Sequence, residues 1–439
     1  MEKLNILRHL MMSRYRRFKT RAQLLNWQQR QITQHLDWIT QHSPFYQAFR
    51  GKPLTEFPLM SKSLMMEHFN HLNTRQLDRD QLLACALEAE QKRDFNRSVF
   101  GDVTVGLSSG TSGQRGLFLA SQAERHCWAG YILGRLLPSL WTPQRIALLL
   151  RANSPLYQTV QHGHIRFHYV DLTQPLDQWM AGLTAFDPTL LVGSAQALQL
   201  CAQEHQALSP KLVVSGAEVL TPSDRALLAA KFKCPIHEIY QCTEGFLACT
   251  QRDGVMRWNE DIVHIEPHWL TSDKTHFSPI ITDFRRRTQP IIRYLLDDVI
   301  AAVDEQGDKY NGIQRGEGKL EAIGSSPLFF QAIGSIAGRT GDLLKLPGDN
   351  HTSIVVLPDL IYRAVSLISD EPLDYRISQV NKDCIQIESE QRHEHIAMAL
   401  QQLFKQLQVD VGQVHFEYRP RPQWQPLIKQ RRVVNQWSS

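Results

Sequence analysis

Several hallmarks of common protein classes are missing from this sequence of 439 residues. It contains no run of eighteen apolar residues, and we therefore expect no membrane-spanning segment. Its N-terminal segment has no long apolar stretch followed by small residues, so it does not resemble a secretory signal. The seven cysteines are odd in number and form no Cys-x-x-Cys pair, which argues against a disulfide framework and a structural zinc site. The sequence therefore predicts a protein of the reducing cytoplasm.

A strong charge of either sign is also missing. The formal net charge is +4, which is too small to indicate a nucleic-acid partner. The basic N-terminal residues 1–21 predict an amphipathic helix, and attachment to a membrane surface is the alternative. The pattern His264-x-Glu266-x-His268 places three possible metal ligands on one face of a predicted strand, but a polar surface strand explains the same alternation.

What the sequence contains is a change of pattern along its length. The first hundred residues are mainly helical in pattern, and from Val103 onwards short apolar runs alternate with helical segments, as in layered α/β domains. We predict an α/β fold with a large layered N-terminal domain of mixed β-sheets and helices, residues 1–337, whose residues 1–100 are a mainly helical lead-in. A linker at 338–350 contains glycines and a proline, and 351–439 form a small mobile α+β C-terminal domain.

The segment Val105–Phe118, VGLSSGTSGQRGLF, concentrates glycines and hydroxyl side chains. Glycines permit close approach of the backbone, and successive N–H groups with added hydroxyls form a concave site for anions. A polyphosphate is the ligand that suits such a loop. The Gly-Lys-Ser/Thr ending of a Walker A loop is absent. The alternative interpretation is a solvated flexible turn.

Six segments in order along the chain resemble the adenylate-forming superfamily, which includes acyl-CoA synthetases, peptide-synthetase adenylation domains and luciferases. The phenylacetate–CoA ligase and CoF synthetase branch is the most similar. The resemblance extends from about Ser43 to Val434. The six segments are Ser108–Gly113, Val213–Leu220, Tyr240–Gly245, Pro290–Val299, Ala337–Leu346 and Ile428–Val434.

This resemblance implies an AMP-forming ligase that uses ATP and Mg²⁺. A carboxylate substrate, aromatic or otherwise modest in size, attacks the α-phosphate of ATP, which gives an acyl-adenylate and pyrophosphate. The acyl group then passes to a thiol, that of coenzyme A or of an acyl carrier protein, or to an amine or hydroxyl. The sequence determines neither the acid, nor the acceptor, nor the oligomeric state.

The resemblance also assigns nucleotide contacts. We expect the phosphate loop to hold the β- and γ-phosphates; its residues are Ser108, Ser109, Gly110, Thr111, Ser112 and Gly113. We expect the adenine to lie between Tyr240 and the adenine-side loop, which contains Gly216, Ala217 and Glu218. Asp298 is expected to bind both ribose hydroxyls. Without the surrounding motifs, Asp297 and Asp298 would be a solvated acidic pair on a β-turn.

For the chemistry, the resemblance implies that Glu244 binds Mg²⁺ and that Thr243 lies near the α-phosphate, although a Thr-Glu pair alone often caps a helix. Arg339 is expected to reach the nucleotide, and Asp342 is the expected hinge of the small domain. An ordinary interdomain loop is the alternative for the linker. Lys429 is the candidate catalytic lysine, with Arg431 as its substitute; the alternative for this basic run is a solvated tail.

Three positions depart from the superfamily pattern: Arg115 stands where many relatives have lysine, and Asp297 and Ile428 stand in place of glycine. These departures leave open a catalytically degenerate, adenylate-binding scaffold, and a phosphotransferase is a more distant possibility. His126 and Trp128 follow the phosphate loop and belong either to an acyl pocket or to the core.

Overall fold

The computed structural model describes residues 2–92, 99–108, 116–150, 164–204, 208–303, 329–349, 352–369, 373–390, 393–421 and 431–437. The helices in these ranges are α1 (Glu2–Tyr15), α2 (Arg21–His42), α3 (Lys62–Glu67), α4 (Phe69–Leu72), α5 (Arg79–Lys92), α6 (Gln122–Leu136), α7 (Leu176–Phe186), α8 (Ala195–Gln203), α9 (Pro222–Phe232), α10 (Pro358–Ser366) and α11 (His393–Gln406). Short 3₁₀ turns cover Pro44–Phe49, Leu54–Glu56 and Thr340–Asp342. No helix within the described ranges has the length and apolar character needed to cross a membrane.

The helical lead-in is confirmed, and local capping explains where its helices begin. The Thr20 hydroxyl accepts a hydrogen bond from the backbone N–H of Gln23 at 3.1 Å at the start of α2. The Ser61 hydroxyl caps α3 in the same way. Helix α2 then buries one apolar face, which includes Leu24, Ile32, Leu36 and Ile39.

Helix α1 packs directly on α6. Gly130 and Gly134 lie one turn apart on α6, and a Cβ atom on Gly130 would lie 2.7 Å from the carbonyl oxygen of Ile6. The same change at Gly134 would bring a Cβ to 2.7 Å from the carbonyl oxygen of Leu10. The two glycines therefore let the helix backbones approach closely, and Ile6 and Leu10 are buried in the contact.

The centre of the large domain is a seven-stranded sheet with the strand order β10-β9-β8-β7-β6-β4-β5. Its strands are β4 (Gln144–Leu150), β5 (Ile165–Asp171), β6 (Leu190–Gly193), β7 (Leu212–Ser215), β8 (Ile236–Cys242), β9 (Gly245–Thr250) and β10 (Met256–Trp258). Strands β4 to β8 pair in parallel, with α7, α8 and α9 between successive strands, whereas β9 and β10 extend the sheet in antiparallel fashion. This βα alternation confirms the predicted α/β class.

Two smaller sheets complete the large domain. One is an antiparallel sheet of β1 (Val99–Phe100), β2 (Val103–Leu107) and β3 (Leu117–Ser121). The other contains β11 (Val263–Trp269), β12 (His276–Asp283), β13 (Ile291–Leu295), β14 (Asp298–Ala301) and β15 (Ser335–Arg339). Their mixture with the central sheet gives the layered arrangement that the sequence predicts.

The C-terminal part has its own hydrophobic core, whose buried members lie between Leu344 and Val433. A hairpin of β16 (Leu344–Pro347) and β17 (Ser353–Val356) precedes a four-stranded sheet with the order β20-β19-β18-β21. The strands of that sheet are β18 (Tyr375–Gln379), β19 (Cys384–Ser389), β20 (His415–Arg419) and β21 (Val433–Asn435). Helices α10 and α11 pack together beside this sheet, and the predicted α+β fold of this part is confirmed.

Candidate functional site

The hydroxyl–glycine segment connects the antiparallel strands β2 and β3, and the structure describes its residues up to Ser108 and from Gly116. Leu107 and Leu117 are paired across the hairpin, and the N–H of Ser108 donates to the carbonyl oxygen of Gly116 at 2.8 Å. The N–H of Gly116 in turn donates to the Ser108 hydroxyl at 2.8 Å. Of the predicted phosphate-loop residues, Ser108 therefore closes the base of the loop. The rest of the loop lies outside the described residues: Ser109, Gly110, Thr111, Ser112 and Gly113, together with Arg115.

Lys62, the last residue of the segment Pro58–Lys62 that also resembles the superfamily branch, lies at the base of this loop. Its Cε atom is 3.1 Å from the position that a Cβ atom on Gly116 would occupy. Lys62 is the first residue of α3, whose hydroxyl cap is Ser61. Its position beside the hairpin depends on tertiary packing, which no local pattern in the sequence shows.

Thr243 and Glu244 lie in the turn between β8 and β9, so they cap no helix. The Thr243 hydroxyl donates to Glu244 Oε2 at 2.9 Å. The Tyr294 side chain also hydrogen-bonds to Glu244, and the pKa of that tyrosine is raised, first by burial and then by the glutamate's charge. Both hydroxyl groups therefore orient the Glu244 carboxylate at the carboxyl end of the central sheet.

Asp298 meets two other predicted site residues. Its carboxylate accepts a hydrogen bond from the Tyr240 hydroxyl at 2.5 Å, and its Oδ1 atom is 3.6 Å from Nε of Arg339. Asp298 and Arg339 are register partners on the antiparallel strands β14 and β15, which explains why residues distant in sequence come together. Asp297 keeps a negative φ, so this turn does not require the glycine of the superfamily pattern.

The site is acidic. Burial raises the pKa of Asp298, and the charges of Glu244 and Asp297 raise it further. The charge of Arg339 and the hydrogen bond from the Tyr240 hydroxyl lower it. The pKa of Tyr240 is raised by burial and by the charges of Asp298 and Glu244. Such a concentration of negative charge favours a bound cation.

The donor set around Glu244 fits Mg²⁺. A hard, partly exposed carboxylate is the ligand type that Mg²⁺ prefers, and this ion retains several waters instead of filling its shell with protein groups. Within the described ranges, no cluster of three or more His, Cys, Asp and Glu side chains could hold a metal by itself. One or two carboxylates with substrate phosphates are therefore the arrangement that these residues can provide.

The predicted adenine-side loop follows β7 and lies against β8. A Cβ atom on Gly216 would come within 2.7 Å of a side-chain carbon of Ile239, the residue before Tyr240. Ala217 has a φ of 66°, and the carboxylate of Glu218 accepts from the N–H of Gln196 at 3.3 Å. The loop therefore contacts β8 at the residue before Tyr240.

Tyr240 itself is only 6% exposed, and its ring packs on Trp258 with a centroid distance of 6.0 Å. The structure therefore gives its hydroxyl a defined role as a donor to Asp298. Stacking of the ring on adenine stays a prediction.

In the linker, Gly338 has a φ of 143°, a backbone conformation that favours glycine, and a Cβ there would lie 3.0 Å from Pro358. Asp342 is buried and forms an ion pair with Arg431. Arg431, predicted as the substitute for the catalytic lysine, thus pairs with the predicted hinge residue. Lys429 and Ile428 lie outside the described residues.

The pattern around His264 has structural partners. The ring nitrogen Nδ1 of His264 is 2.9 Å from the Gln28 side-chain oxygen, and Glu266 is 3.3 Å from Nε of Arg293. His268 is exposed. These contacts favour the polar-strand interpretation over a metal site.

Arg286 is a site residue that the sequence analysis missed. Its side chain is 1% exposed, and its Nη1 donates to the carbonyl oxygen of Thr243 at 2.8 Å. It also lies over the stacked rings of Phe118 and Trp128, at 5.3 and 5.0 Å from their centroids. Trp128 is therefore buried against Arg286. The sequence feature that could have identified Arg286 is the run of three arginines at 285–287.

No protein-family model matches the sequence, and a search of curated proteins finds no match either. Among solved structures, the fold is similar to that of CoA ligases in complex with acyl-adenylates. The 2-hydroxyisobutyryl-CoA ligase in its postadenylation state, with R3-HIB-AMP, matches with a TM-score of 0.65 and 14% identity over 93% of this chain and 89% of the ligase. An anthranilate CoA ligase with anthranoyl-AMP matches at 0.50 and 10% identity, over 74% of this chain and 66% of that one.

The same 2-hydroxyisobutyryl-CoA ligase in its thioesterification state matches less well, with a TM-score of 0.52 and 16% identity over 93% and 89% of the two chains. The adenylate-forming fold predicted from the six motifs is thus confirmed. Assignment to the phenylacetate–CoA ligase and CoF synthetase branch stays a prediction.

Proposed function

We propose that this protein is an AMP-forming carboxylate ligase. In the first half-reaction a carboxylate oxygen attacks the α-phosphorus of ATP, and the bond to the bridging oxygen breaks with release of pyrophosphate. In the second, a thiol attacks the acyl carbon and AMP leaves. The observation that carries this proposal is the convergence of Tyr240, Asp298 and Arg339 beside Glu244, on the fold that adenylate-forming ligases share.

The roles of the described residues follow from their contacts. Asp298, fixed by Tyr240 and Arg339, offers a carboxylate that can accept hydrogen bonds from two ribose hydroxyls. Glu244, oriented by Thr243, is the residue that would hold Mg²⁺, and this ion supplies neutralisation of the phosphate charge. Arg286 fixes the backbone of Thr243 from behind, so the hydroxyl of Thr243 keeps its place beside the α-phosphate.

The segments outside the described ranges complete the proposal. Residues 109–113 would hold the β- and γ-phosphates through backbone N–H groups and hydroxyls. Lys429 would bring its ammonium group to the carboxylate and the α-phosphate together, which concentrates positive charge where negative charge develops. The superfamily resemblance supports both assignments.

We further propose that residues 338–350 act as the hinge between residues 1–337 and 351–439. The left-handed φ of Gly338 and the Asp342–Arg431 pair mark the position where backbone rotation would change the contacts of the C-terminal part. The acceptor is coenzyme A or a carrier-protein thiol, and both fit a cytoplasmic location. Free cysteines at all seven positions agree with that compartment.

Pyrophosphate release, measured over a panel of carboxylic acids with and without coenzyme A, tests the proposal. We expect release with at least one acid and a fall of at least 100-fold in Glu244→Gln and Asp298→Asn. Glu266→Gln is the matched control, because that carboxylate pairs with Arg293 on the edge strand β11.

Lys429→Ala should lose adenylation but keep ATP binding, and pyrophosphate exchange at the wild-type rate would refute its role. ATP binding without release for any acid would favour a degenerate scaffold. ADP formation would indicate a phosphotransferase.

A further inference from the structure

A group of buried polar atoms without hydrogen-bond partners lies behind the proposed active site. They belong to His9 on α1, Arg16 just after α1, Tyr131 on α6 and Arg285 in the turn after β12. The atoms are His9 Nδ1, Arg16 Nη1, the Tyr131 hydroxyl oxygen, and Nε and Nη2 of Arg285. A buried donor without a partner costs about 1–3 kcal/mol, so folded proteins rarely leave several together.

These atoms are close to one another. The rings of His9 and Tyr131 are 6.1 Å apart, centroid to centroid. The guanidinium groups of Arg16 and Arg285 both lie over the indole of Trp27, at 4.4 and 5.8 Å from its centroid. Two cations therefore share one aromatic side chain, and within the described ranges no carboxylate forms an ion pair with either of them.

The electrostatic effects show the same proximity. Burial, followed by the charge of Arg285 and, more weakly, that of Arg16, lowers the pKa of His9 to about 4. Burial and Asp261 raise the pKa of Tyr131 to about 12, whereas both arginines oppose that rise. His9 is thus neutral near pH 7 and Tyr131 keeps its proton, so each can donate a hydrogen bond to an anion.

The group adjoins the site through two elements. Tyr131 packs in one buried cluster with Phe246, which lies two residues after Glu244 on β9. Arg286, the neighbour of Arg285 in the same turn, donates to the carbonyl oxygen of Thr243. Phe246 and Arg286 therefore connect this donor group to the elements that carry Thr243 and Glu244.

We propose that His9, Arg16, Tyr131 and Arg285 bind a second carboxylate of the acid substrate, which makes the protein a ligase for dicarboxylic acids. This inference rests on the proposed function for the fate of the first carboxylate. A carboxylate has about four acceptor positions, and a guanidinium group matches its planar geometry. It would satisfy the unpartnered donors and add negative charge beside two partly buried arginines, of which Arg285 also feels the charge of the buried Asp283.

The test compares acids that differ in a second carboxylate. We choose adipate against hexanoate, and terephthalate against 4-methylbenzoate, and measure pyrophosphate release by the wild type, Arg285→Met, Arg16→Met and Tyr131→Phe. The wild type should prefer the dicarboxylic member of at least one pair by at least tenfold in kcat/KM. Arg285→Met should abolish that preference, and Tyr131→Phe should reduce it several-fold.

The matched control is Arg287→Met, because that neighbouring arginine is exposed and lies over Trp38. It should keep the wild-type preference. Circular dichroism and urea unfolding without any acid check folding, and we expect Arg285→Met to be at least as stable as the wild type, since it removes unpartnered buried donors. A preference that survives in both Arg285→Met and Arg16→Met overturns the proposal.

Calorimetric titration with adipate and terephthalate separates this inference from the proposed function. Binding that depends on Arg285, without pyrophosphate release from any acid, supports the anion site and refutes the ligase. Release from monocarboxylic acids alone, with no Arg285-dependent binding, supports the ligase and refutes the site. A third outcome is a dicarboxylate that binds through Arg285 and accelerates pyrophosphate release with a different acid. That result identifies an effector site and overturns the assignment of the dicarboxylate as substrate.

Discussion

Arg432 donates two hydrogen bonds to Asp224, at 2.7 and 3.2 Å, and so joins the C-terminal part to the first turn of α9. Asp224 is fully buried and also forms a capping box with Thr221 at the start of that helix. Burial would lower the pKa of Arg432, but the Asp224 carboxylate outweighs it and the pKa is raised. The pair is therefore an ion pair between two regions that, on our proposal, move relative to each other.

We expect this ion pair to stabilise the arrangement needed for adenylation. Arg432 belongs to the segment Ile428–Val434, which on our proposal brings Lys429 to the nucleotide during adenylation. Arg432→Met should leave Asp224 as an unpaired buried charge and lower the free energy of unfolding by about 3–5 kcal/mol. It should also slow pyrophosphate release more than transfer to coenzyme A.

Urea unfolding and separate assays of the two half-reactions check this prediction. The double variant Arg432→Met/Asp224→Asn should recover part of the lost stability, because no unpaired charge remains. Additive losses in the double variant, or equal slowing of both half-reactions, would contradict it.

A second prediction concerns the pH dependence of ATP use. Asp298 must be ionised to accept two ribose hydrogen bonds, and burial already raises its pKa. Arg339 and the Tyr240 hydroxyl both lower that pKa, so Tyr240→Phe and Arg339→Met should raise it further. The acidic limb of the pH profile of kcat/KM for ATP should therefore move to higher pH in both variants.

The pH profile of Arg293→Met serves as the comparison, since that arginine contacts Glu266 and the backbone of the lead-in instead of Asp298. Coincident acidic limbs for the wild type and Arg339→Met would show that Asp298 does not control ATP use.

A third prediction concerns stability in acid. His35 is 2% exposed, neither ring nitrogen has a hydrogen-bond partner, and burial with the charges of Arg287 and Arg285 lowers its pKa to about 3. The folded protein therefore binds fewer protons at this residue than the unfolded chain between pH 6.5 and 3, so stability is lost as pH falls through this range. By pH 5 the loss from His35 is about 2 kcal/mol.

Replacement by methionine should remove this contribution. We expect His35→Met to be at least as stable as the wild type at pH 7 and to lose less stability between pH 7 and 5, measured by urea unfolding. His9 and His237, whose pKa values are also lowered to about 4, should maintain part of the slope. Parallel pH dependences for the wild type and His35→Met would exclude a neutral buried His35.

A fourth prediction tests the contact of α1 with α6. Gly130→Ala places a methyl group 2.7 Å from the backbone of α1, which cannot move without separating the helices. The variant should lose about 1–3 kcal/mol of stability in urea unfolding. Gly341→Ala, where a Cβ would meet no atom within 4 Å, is the control and should change stability little. An equally stable Gly130→Ala variant would mean that α1 does not pack closely on α6.

The six motifs predicted the fold because each is a local element with its own physical signature. Local sequence alone predicts the apolar strands, the hydroxyl cap at Ser61 and the loop between β2 and β3. The sequence also singles out Tyr240, Glu244, Asp298 and Arg339, because each lies within a motif, and their roles stay predictions.

The partners of these residues were not predictable. Asp298 contacts Tyr240 across 58 positions, and Arg432 contacts Asp224 across 208. Within the sequence, Arg285 and Arg286 are equivalent members of one basic run. The structure turns Arg286 towards Thr243 and leaves Arg285 with buried donors that have no partner.

The sequence by itself therefore determined the elements, their order and the α/β class, because capping and apolar periodicity act over a few residues. The tertiary structure decided which charges are paired, which are buried alone and which carboxylate meets which donor. Those properties depend on desolvation and on distances between segments far apart in the chain, and no local pattern encodes them.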